Sequence, residues 1–238
     1  YQLQNGARFT GSGSGLTVLR DIAGVSSPTL SLVGTNVTAS YFKVAGGLVT
    51  GAGTLSVNGP NVYWTGGTLT NTGASTPTLN VNSGQTLTLS GSDKYFGLAT
   101  LSVANGGTLN WTAGNLVAIG DGSTPTTYIA NGTISNAGLF DIQGDVTLTR
   151  PSGYTGYTTT FINQPTGELR RSSSSGTASL GSSELTYYGY RNSLVNLYND
   201  GTVNVQTGTL SGMPGTLLQS GQLFVAGGGQ ISWGGFTN

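Results

Sequence analysis

A pair of alternating apolar residues, followed by glycine or asparagine and then by a second such pair, recurs along this chain. The clearest copies are TLSVNGPNVYWTGG at 54–67, TLSVANGGTLNWTAG at 100–114 and QLFVAGGGQISWGG at 222–235. Alternation with a period of two indicates a half-buried β-strand. Glycine and asparagine tolerate the tight, positive-φ backbone of a corner. The repeat therefore predicts two short strands joined by a corner.

Adjacent recognisable repeats follow one another at similar intervals, with longer gaps where an insertion or a degenerate copy lies between them. Leading strands begin near residues 30, 55, 79, 101, 140, 203 and 223, so that neighbouring clear copies lie 25, 24, 22 and 20 residues apart. Self-similarity at such a period indicates a solenoid. An antiparallel sandwich would also show short strands at regular spacing, but here the whole two-strand unit recurs. We predict an all-β, single-stranded parallel β-helix (β-solenoid) of about nine coils of 20–25 residues.

The predicted solenoid forms a single domain over residues 1–238, with an irregular, insertion-bearing section at about 150–193. Hydrophobic residues make up 36% of the chain, which is enough for a thin continuous core. Only 7% of the residues are charged, and the eight basic and eight acidic side chains cancel. A surface without net charge does not attract nucleic acid or an anionic membrane. We predict neither nucleic-acid binding nor membrane insertion.

The chain contains no cysteine and no histidine. A disulfide framework and a thiolate metal site are therefore excluded, and the commonest general base is missing. Glycoside hydrolysis needs two carboxylates that face each other across a scissile bond, and only Asp141 and Asp145 lie close together in sequence. We predict no catalytic residue, no metal site and no cofactor; the carboxylates considered are Asp21, Asp93, Asp121, Asp141, Asp145, Glu168, Glu184 and Asp200.

Tyrosine and arginine are concentrated in the irregular section. These side chains are enriched at recognition surfaces because they combine a large contact area with hydrogen-bonding groups, and insertions of repeat proteins often carry binding. The alternative is that alternate tyrosines pack the core of irregular coils. The predicted ligand-binding residues are Tyr154, Tyr157, Arg170, Arg171, Tyr187, Tyr188, Tyr190 and Arg191.

Two further patterns admit a structural and a functional interpretation. Trp64, Trp111 and Trp233 share the parity of the core aliphatics before them, which predicts a stacked aromatic ladder in the core rather than an exposed platform for sugar rings. The Thr-x-Thr pairs 68/70, 86/88 and 147/149 suggest ice binding, because an ordered threonine array can order water. Such an array needs the pair in nearly every coil on one flat face, whereas these pairs are sporadic.

Segments 100–114 and 196–212 (NLYNDGTVNVQTGTLSG) resemble, in the style N-x-G-x-V-x-V-x-x-G-x-L, the repeats of large bacterial surface proteins. These are the autotransporter-passenger and filamentous-haemagglutinin-like adhesins. The resemblance covers roughly residues 50–115 and 195–238. It implies a right-handed parallel β-helix, a secreted or cell-surface location, and a structural or adhesive role.

These observations predict a non-catalytic extracellular structural or adhesive module, a segment of a filament or of a giant surface protein. The uncapped end of a solenoid is an open sheet edge that favours pairing, so we expect self-association through the solenoid ends or a natural continuation of the chain. The alternative is a parallel β-helix that binds or cleaves a glycan, with a glycan or a host-surface molecule as its ligand. Ice binding is a third hypothesis.

Overall fold

The computed structural model describes residues 2–3, 6–9, 17–21, 27–34, 36–71, 76–119, 132–149, 158–181 and 194–237. Within them the chain forms 21 β-strands. In chain order the strands are β1 (Gln2–Leu3), β2 (Arg8–Phe9), β3 (Thr17–Leu19), β4 (Thr29–Leu32), β5 (Asn36–Gly51), β6 (Thr54–Leu69), β7 (Thr78–Val81), β8 (Thr86–Leu89), β9 (Lys94–Phe96), β10 (Thr100–Val103), β11 (Thr108–Trp111), β12 (Leu116–Ala118), β13 (Thr133–Asn136), β14 (Leu139–Ile142), β15 (Thr147–Thr149), β16 (Thr158–Asn163), β17 (Glu168–Arg171), β18 (Thr177–Leu180), β19 (Leu194–Asn199), β20 (Thr202–Gln219) and β21 (Gln222–Thr237).

The strands form three columns of parallel pairs, which we call the first, second and third faces. The first face contains β7, β10, β13, β16 and β19. The second contains β8, β11, β14 and β17, and the third contains β9, β12, β15 and β18. The long strands β5, β6, β20 and β21 bend through two or three faces. This arrangement is the predicted parallel β-solenoid.

The second face has nine strand levels, from Thr17–Leu19 to the start of β21. At about 4.8 Å between neighbouring strands, nine levels extend over about 38 Å. Register partners lie 20 residues apart at Phe42 and Val62, but 31 apart at Leu109 and Phe140 and 34 apart at Leu169 and Val203. Some coils are therefore longer than the predicted 20–25 residues, because they contain insertions.

Each regular coil contains three strands where the repeat predicted two. The third strand is short and irregular in sequence: KYF in β9, LVA in β12 and TLT in β15. All three residues of β12 are buried, so its sequence does not alternate. The period-two pattern therefore identifies the first and second faces in the copies 54–67 and 100–114 and the second and third faces in the copy 222–235, and it passes over β9 and β12.

The core is a set of inward-facing columns in which each apolar residue stacks on its register partners. On the first face the column includes Leu55, Leu79, Leu101, Ile134 and Phe161, all less than 5% exposed. Fully burying a side chain of this size contributes about 1.5–3 kcal/mol. The predicted alternation of buried and outward residues is confirmed in these strands.

The predicted tryptophan ladder is wrong, although Trp64 and Trp111 are buried. Both occupy one column of the second face, but Leu89 lies between them in the register. Trp233 pairs opposite Gly212 on the third face, so it belongs to another column. Phe140 instead packs edge-on against Trp111 of the same face and against Phe161 of the first face.

Glycine corners connect the first face to the second, as the repeat predicted. Gly84 and Gly106 have φ of +73° and +77°, in the left-handed region where residues with a Cβ are disfavoured. Gly201 is required for another reason. A Cβ there would overlap the backbone carbonyl oxygens of Gln164 and Gly167, one coil earlier.

Candidate functional surfaces

The last coil presents open core positions to solvent. Leu223 and Val225 of β21 are register partners of Val203 and Val205. The two valines of β20 are at most 2% exposed, whereas Leu223 is 38% and Val225 49% exposed. Among the described strands, β21 pairs only with β20. Within the described residues, β21 therefore combines an unpaired backbone edge with exposed aliphatic side chains.

A polar cluster lies on the outside of the second face, where Asn110, Asp141, Arg170 and Asn204 are successive register partners. The Arg170 guanidinium donates to Oδ2 of Asp141 at 2.9 Å. Gln143 donates to the same oxygen at 3.0 Å, and Asn204 donates to Glu168 at 2.9 Å. We call these residues, with Ser172, the second-face cluster.

Asp141 is held as a carboxylate within the second-face cluster. Burial by itself would raise the pKa of Asp141, but hydrogen bonds from Arg170, Gln143 and Ser172, together with the Arg170 charge, outweigh it and hold that pKa below its ordinary value. The Asp141 side chain is only 2% exposed, whereas Arg170 is 27% exposed. The group of this cluster that can reach a ligand is therefore the guanidinium.

Arg171 lies inside the solenoid, which removes it from the predicted ligand patch. It occupies the core column of the second face between Ile142 and Val205 and is 0% exposed. Its guanidinium donates to the carbonyl of Gly144 at 2.6 Å and pairs with the partly exposed carboxylate of Asp145. Ser174, with φ of +67°, donates to the other oxygen of Asp145 at 2.7 Å. Arg171 thus satisfies the corner between the second and third faces.

Lys94 fills the equivalent corner two coils earlier. Its ammonium donates to the carbonyls of Ser90, Ser92 and Ala113 at 2.7–2.9 Å, and the residue is 0% exposed. Burial lowers the pKa of Lys94 to about 8, although the neighbouring Asp93 carboxylate acts in the opposite direction. In the coil after Lys94, the indole N–H of Trp111 donates to the carbonyl of Gly114 at 2.7 Å. Inward donors thus satisfy the carbonyls of this corner.

A ladder of buried amides lies at the corner between the first and second faces, where the first-face strands end. Asn136 donates to Asn163 at 2.8 Å, Asn163 donates to Asn199 at 2.6 Å, and Asn199 donates to Gln219 at 3.0 Å. Each asparagine also donates to a backbone carbonyl of the following coil, those of Glu168, Thr202 and Gln222. We call Asn136, Asn163, Asn199 and Gln219 the amide ladder. Sequence reasoning missed it, although Asn136 and Asn199 each stand two residues before a glycine.

The outside of the first face carries a regular array of small polar side chains. Thr54, Thr78, Thr100, Thr133 and Thr160 are successive register partners, without a register shift. Two residues further along each strand, Ser56, Asn80, Ser102, Ser135 and Ile162 form a second column. We call these ten side chains the hydroxyl array. Its sequence signal is the threonine before each leading apolar pair.

The Thr-x-Thr pairs singled out in the sequence lie elsewhere. Thr86 and Thr88 are on the second face, and Thr147 and Thr149 are on the third. Thr68 is also on the third face, and Thr70 is 7% exposed. These pairs are therefore distributed over two faces, whereas the hydroxyl array lies on one.

The other predicted ligand residues lie outside the described part of the chain: Tyr154, Tyr157, Tyr187, Tyr188, Tyr190 and Arg191. The strands on either side of them are described. Residues 150–157 connect β15 to β16, and residues 182–193 connect β18 to β19, so both segments join the third face to the first in successive coils. Of the eight predicted residues, the structure thus locates Arg170 on the surface and Arg171 in the core.

Within the described ranges, no group of three or more histidine, cysteine, aspartate or glutamate residues is arranged to hold a metal ion. No helix in the same ranges is long and apolar enough to span a membrane. Comparisons of this chain with family models, with curated proteins and with solved structures found no match.

Proposed function

We propose that this protein is a non-catalytic structural or adhesive module of the cell surface or the secreted space, which associates end to end through its terminal coils. The observation that carries the proposal is the open last coil. Leu223 and Val225 stand in core columns and remain 38% and 49% exposed. A further coil would bury both side chains and pair the free edge of β21.

A second copy of the chain fits this end because it offers matching β-coils. Parallel pairing repeats the same backbone pattern from coil to coil, and the columns of Val203 and Val205 continue with Leu223 and Val225. The sequence resemblance to adhesin repeats supports the surface location. The pairing of Asp141 with Arg170 holds the buried carboxyl ionised, so that Asp141 is not poised to act as a general acid.

Sedimentation velocity over a range of protein concentrations tests the end-to-end association. We expect larger species to appear as the concentration rises. The double variant Leu223→Lys/Val225→Lys should remain monomeric, because two desolvated ammonium groups oppose docking. Phe224→Lys is the matched control: Phe224 is 53% exposed, but it points outward from the same strand, so this variant should associate like the wild type.

Monomeric wild-type protein at every concentration would refute the proposed association. Equal association of the wild type and the double lysine variant would show that another surface is responsible. Far-UV circular dichroism of each variant establishes that the solenoid remains folded.

Glycan binding is a second candidate, favoured by the second-face cluster. The Arg170 guanidinium of this cluster is 27% exposed and is held in place by Asp141, and guanidinium groups donate hydrogen bonds to sugar hydroxyls. A glycan array with the wild type and with Arg170→Gln tests this candidate. Binding that decreases in Arg170→Gln, and is retained in Arg8→Gln at an exposed position of β2, supports it; unchanged or absent binding refutes it.

A further inference from the structure

The hydroxyl array is a two-dimensional grid. Along the solenoid axis its columns repeat at the strand spacing of about 4.8 Å, and along each strand the outward positions are about 6.6 Å apart. Four register-paired residues per strand, from β7 to β16 and at the start of β6, hold this spacing over five coils without a bulge. An irregular face would not keep the two repeats constant.

The array is rigid because its backbone is fixed on both sides. β7, β10 and β13 each pair with a strand above and a strand below. The residues between the array positions, such as Leu79, Leu101 and Ile134, are at most 4% exposed and anchor the strands to the core. Threonine adds stiffness of its own, since its β-branched side chain has few accessible χ1 rotamers.

The array is also neutral. Its ten positions hold five threonines, three serines, one asparagine and one isoleucine. The second face of the same coils differs, because it carries Asp141, Glu168 and Arg170 on its outside. A charged side chain keeps its own hydration shell, whereas a hydroxyl group can replace a water molecule in a hydrogen-bonded lattice.

We propose that the hydroxyl array binds the surface of ice. The oxygen atoms of an ice surface form a neutral lattice that repeats in two directions at distances close to those of the grid, so that threonine and serine hydroxyls can occupy lattice positions. The threonine methyl groups add apolar surface beside the hydroxyls, from which the release of water is favourable. The array has no aromatic ring among its ten side chains, which makes it a poor platform for stacking on a sugar.

The hydroxyl array is separate from the exposed coil of β21, so that ice binding and end-to-end association can each be refuted without the other. The array ends at β16, where Thr160 pairs with Asn196 and Ile162 with Tyr198. The L223K/V225K variant should therefore retain its ice activity per molecule while it loses end-to-end association.

Thermal hysteresis and inhibition of ice recrystallisation, measured on the purified chain, test the proposal. The wild type should show both effects and should shape ice crystals. Thr78→Tyr/Thr100→Tyr should lose most of the activity, because two bulky rings interrupt the middle of the grid. The matched control is Thr86→Tyr/Thr108→Tyr, which changes the first outward residue of the second-face strands in the same two coils and should keep the activity.

A second pair of variants guards against misfolding. Ser102→Tyr changes one array position, and Asn110→Tyr changes the corresponding position of the next strand on the second face. We expect only the former to reduce thermal hysteresis when both have wild-type circular dichroism. A wild type without thermal hysteresis, equal loss in array and control variants, or retention on crystalline cellulose without any ice activity would each overturn the proposal.

Discussion

Lys94 is a charged side chain in a column that otherwise holds apolar residues, since its register partner in the next coil is the buried Leu116. Three backbone carbonyls accept its hydrogens, which offsets part of the cost of burying an ammonium group. The pKa of Lys94 is still lowered from 10.5 to about 8. Folding therefore favours the neutral amine, and the unfolded chain binds more protons between pH 8 and 10.5.

The free energy of unfolding should accordingly rise as the pH increases from 8 to 10.5, because stability rises wherever the unfolded state binds more protons. The contribution of Lys94 is about 3 kcal/mol over that interval. Urea unfolding of the wild type and of Lys94→Met at pH 7.5 and pH 10 measures it. Between these two pH values the rise should be smaller in Lys94→Met by about 2 kcal/mol; equal pH dependence in the two proteins would contradict the lowered pKa.

Arg171 makes a stronger demand on its surroundings, because a guanidinium remains charged at every accessible pH. Arg171→Met would leave the Gly144 carbonyl without its donor and the Asp145 carboxylate without its charge partner. Loss of one partner of a buried pair costs about 3–5 kcal/mol, and the exposed side of Asp145 points to the lower end. Thermal unfolding should show a large fall in Tm for this variant and almost none for Arg8→Met, where the side chain is exposed.

At the scale of the strand, the apolar pairs predicted strands wherever buried and outward residues alternate, and they missed β12, in which all three residues are buried. Val57, Val81 and Val103 end their strands on the first face, and Asn136 takes the same position in the next coil. The sequence pattern predicts that asparagine lies in a corner, whereas Asn136 is the last buried residue of its strand. Arg171 was assigned to the surface for a similar reason, since charged residues are almost never fully buried unless paired. Both errors concern polar groups whose partners lie a whole coil away in sequence.

A single substitution in the amide ladder should destabilise the fold more than its share of a substitution of all three asparagines. Asn163→Leu removes the acceptor of Asn136 and the donor to Asn199, which leaves buried polar groups unpaired at about 1–3 kcal/mol each. Asn80→Leu is the control, since Asn80 lies on the outside of the same face. Urea unfolding should show a large loss for the former and a small one for the latter.

The triple variant Asn136→Val/Asn163→Val/Asn199→Val restores the residue type of the earlier coils. Its loss should be smaller than three times that of Asn163→Leu, because paired groups are then removed together. The loss of unfolding free energy in the triple variant could instead equal or exceed that sum. The main contribution of the ladder would then be its hydrogen bonds to the backbone carbonyls of Glu168, Thr202 and Gln222, and not those between the side-chain amides.

For the whole molecule, the stacking of coils limits how far any one substitution acts. β20 pairs with β21 on one side and with β17, β18 and β19 on the other, and β17 in turn pairs with β14. Stability in such an array is a sum of coil and nearest-neighbour terms. The three faces can therefore carry different chemistry, with the hydroxyl array and the second-face cluster on separate columns of the same coils.

This additivity predicts that the chain can lose its last coil and still fold. A chain that ends at Gly221 lacks β21, and its new end exposes Val203 and Val205, which are now at most 2% exposed. We expect the same far-UV circular dichroism per residue, a somewhat lower Tm and continued concentration-dependent sedimentation, because the new end is again an open apolar coil.

Leu101→Asp in a central coil, where the side chain is 0% exposed, should lower Tm far more, since a buried carboxylate there weakens two coil interfaces at once. An unfolded shortened chain would show that β21 is required for the fold of the preceding coils, and a folded but strictly monomeric one would show that association depends on Leu223 and Val225 rather than on the open end itself.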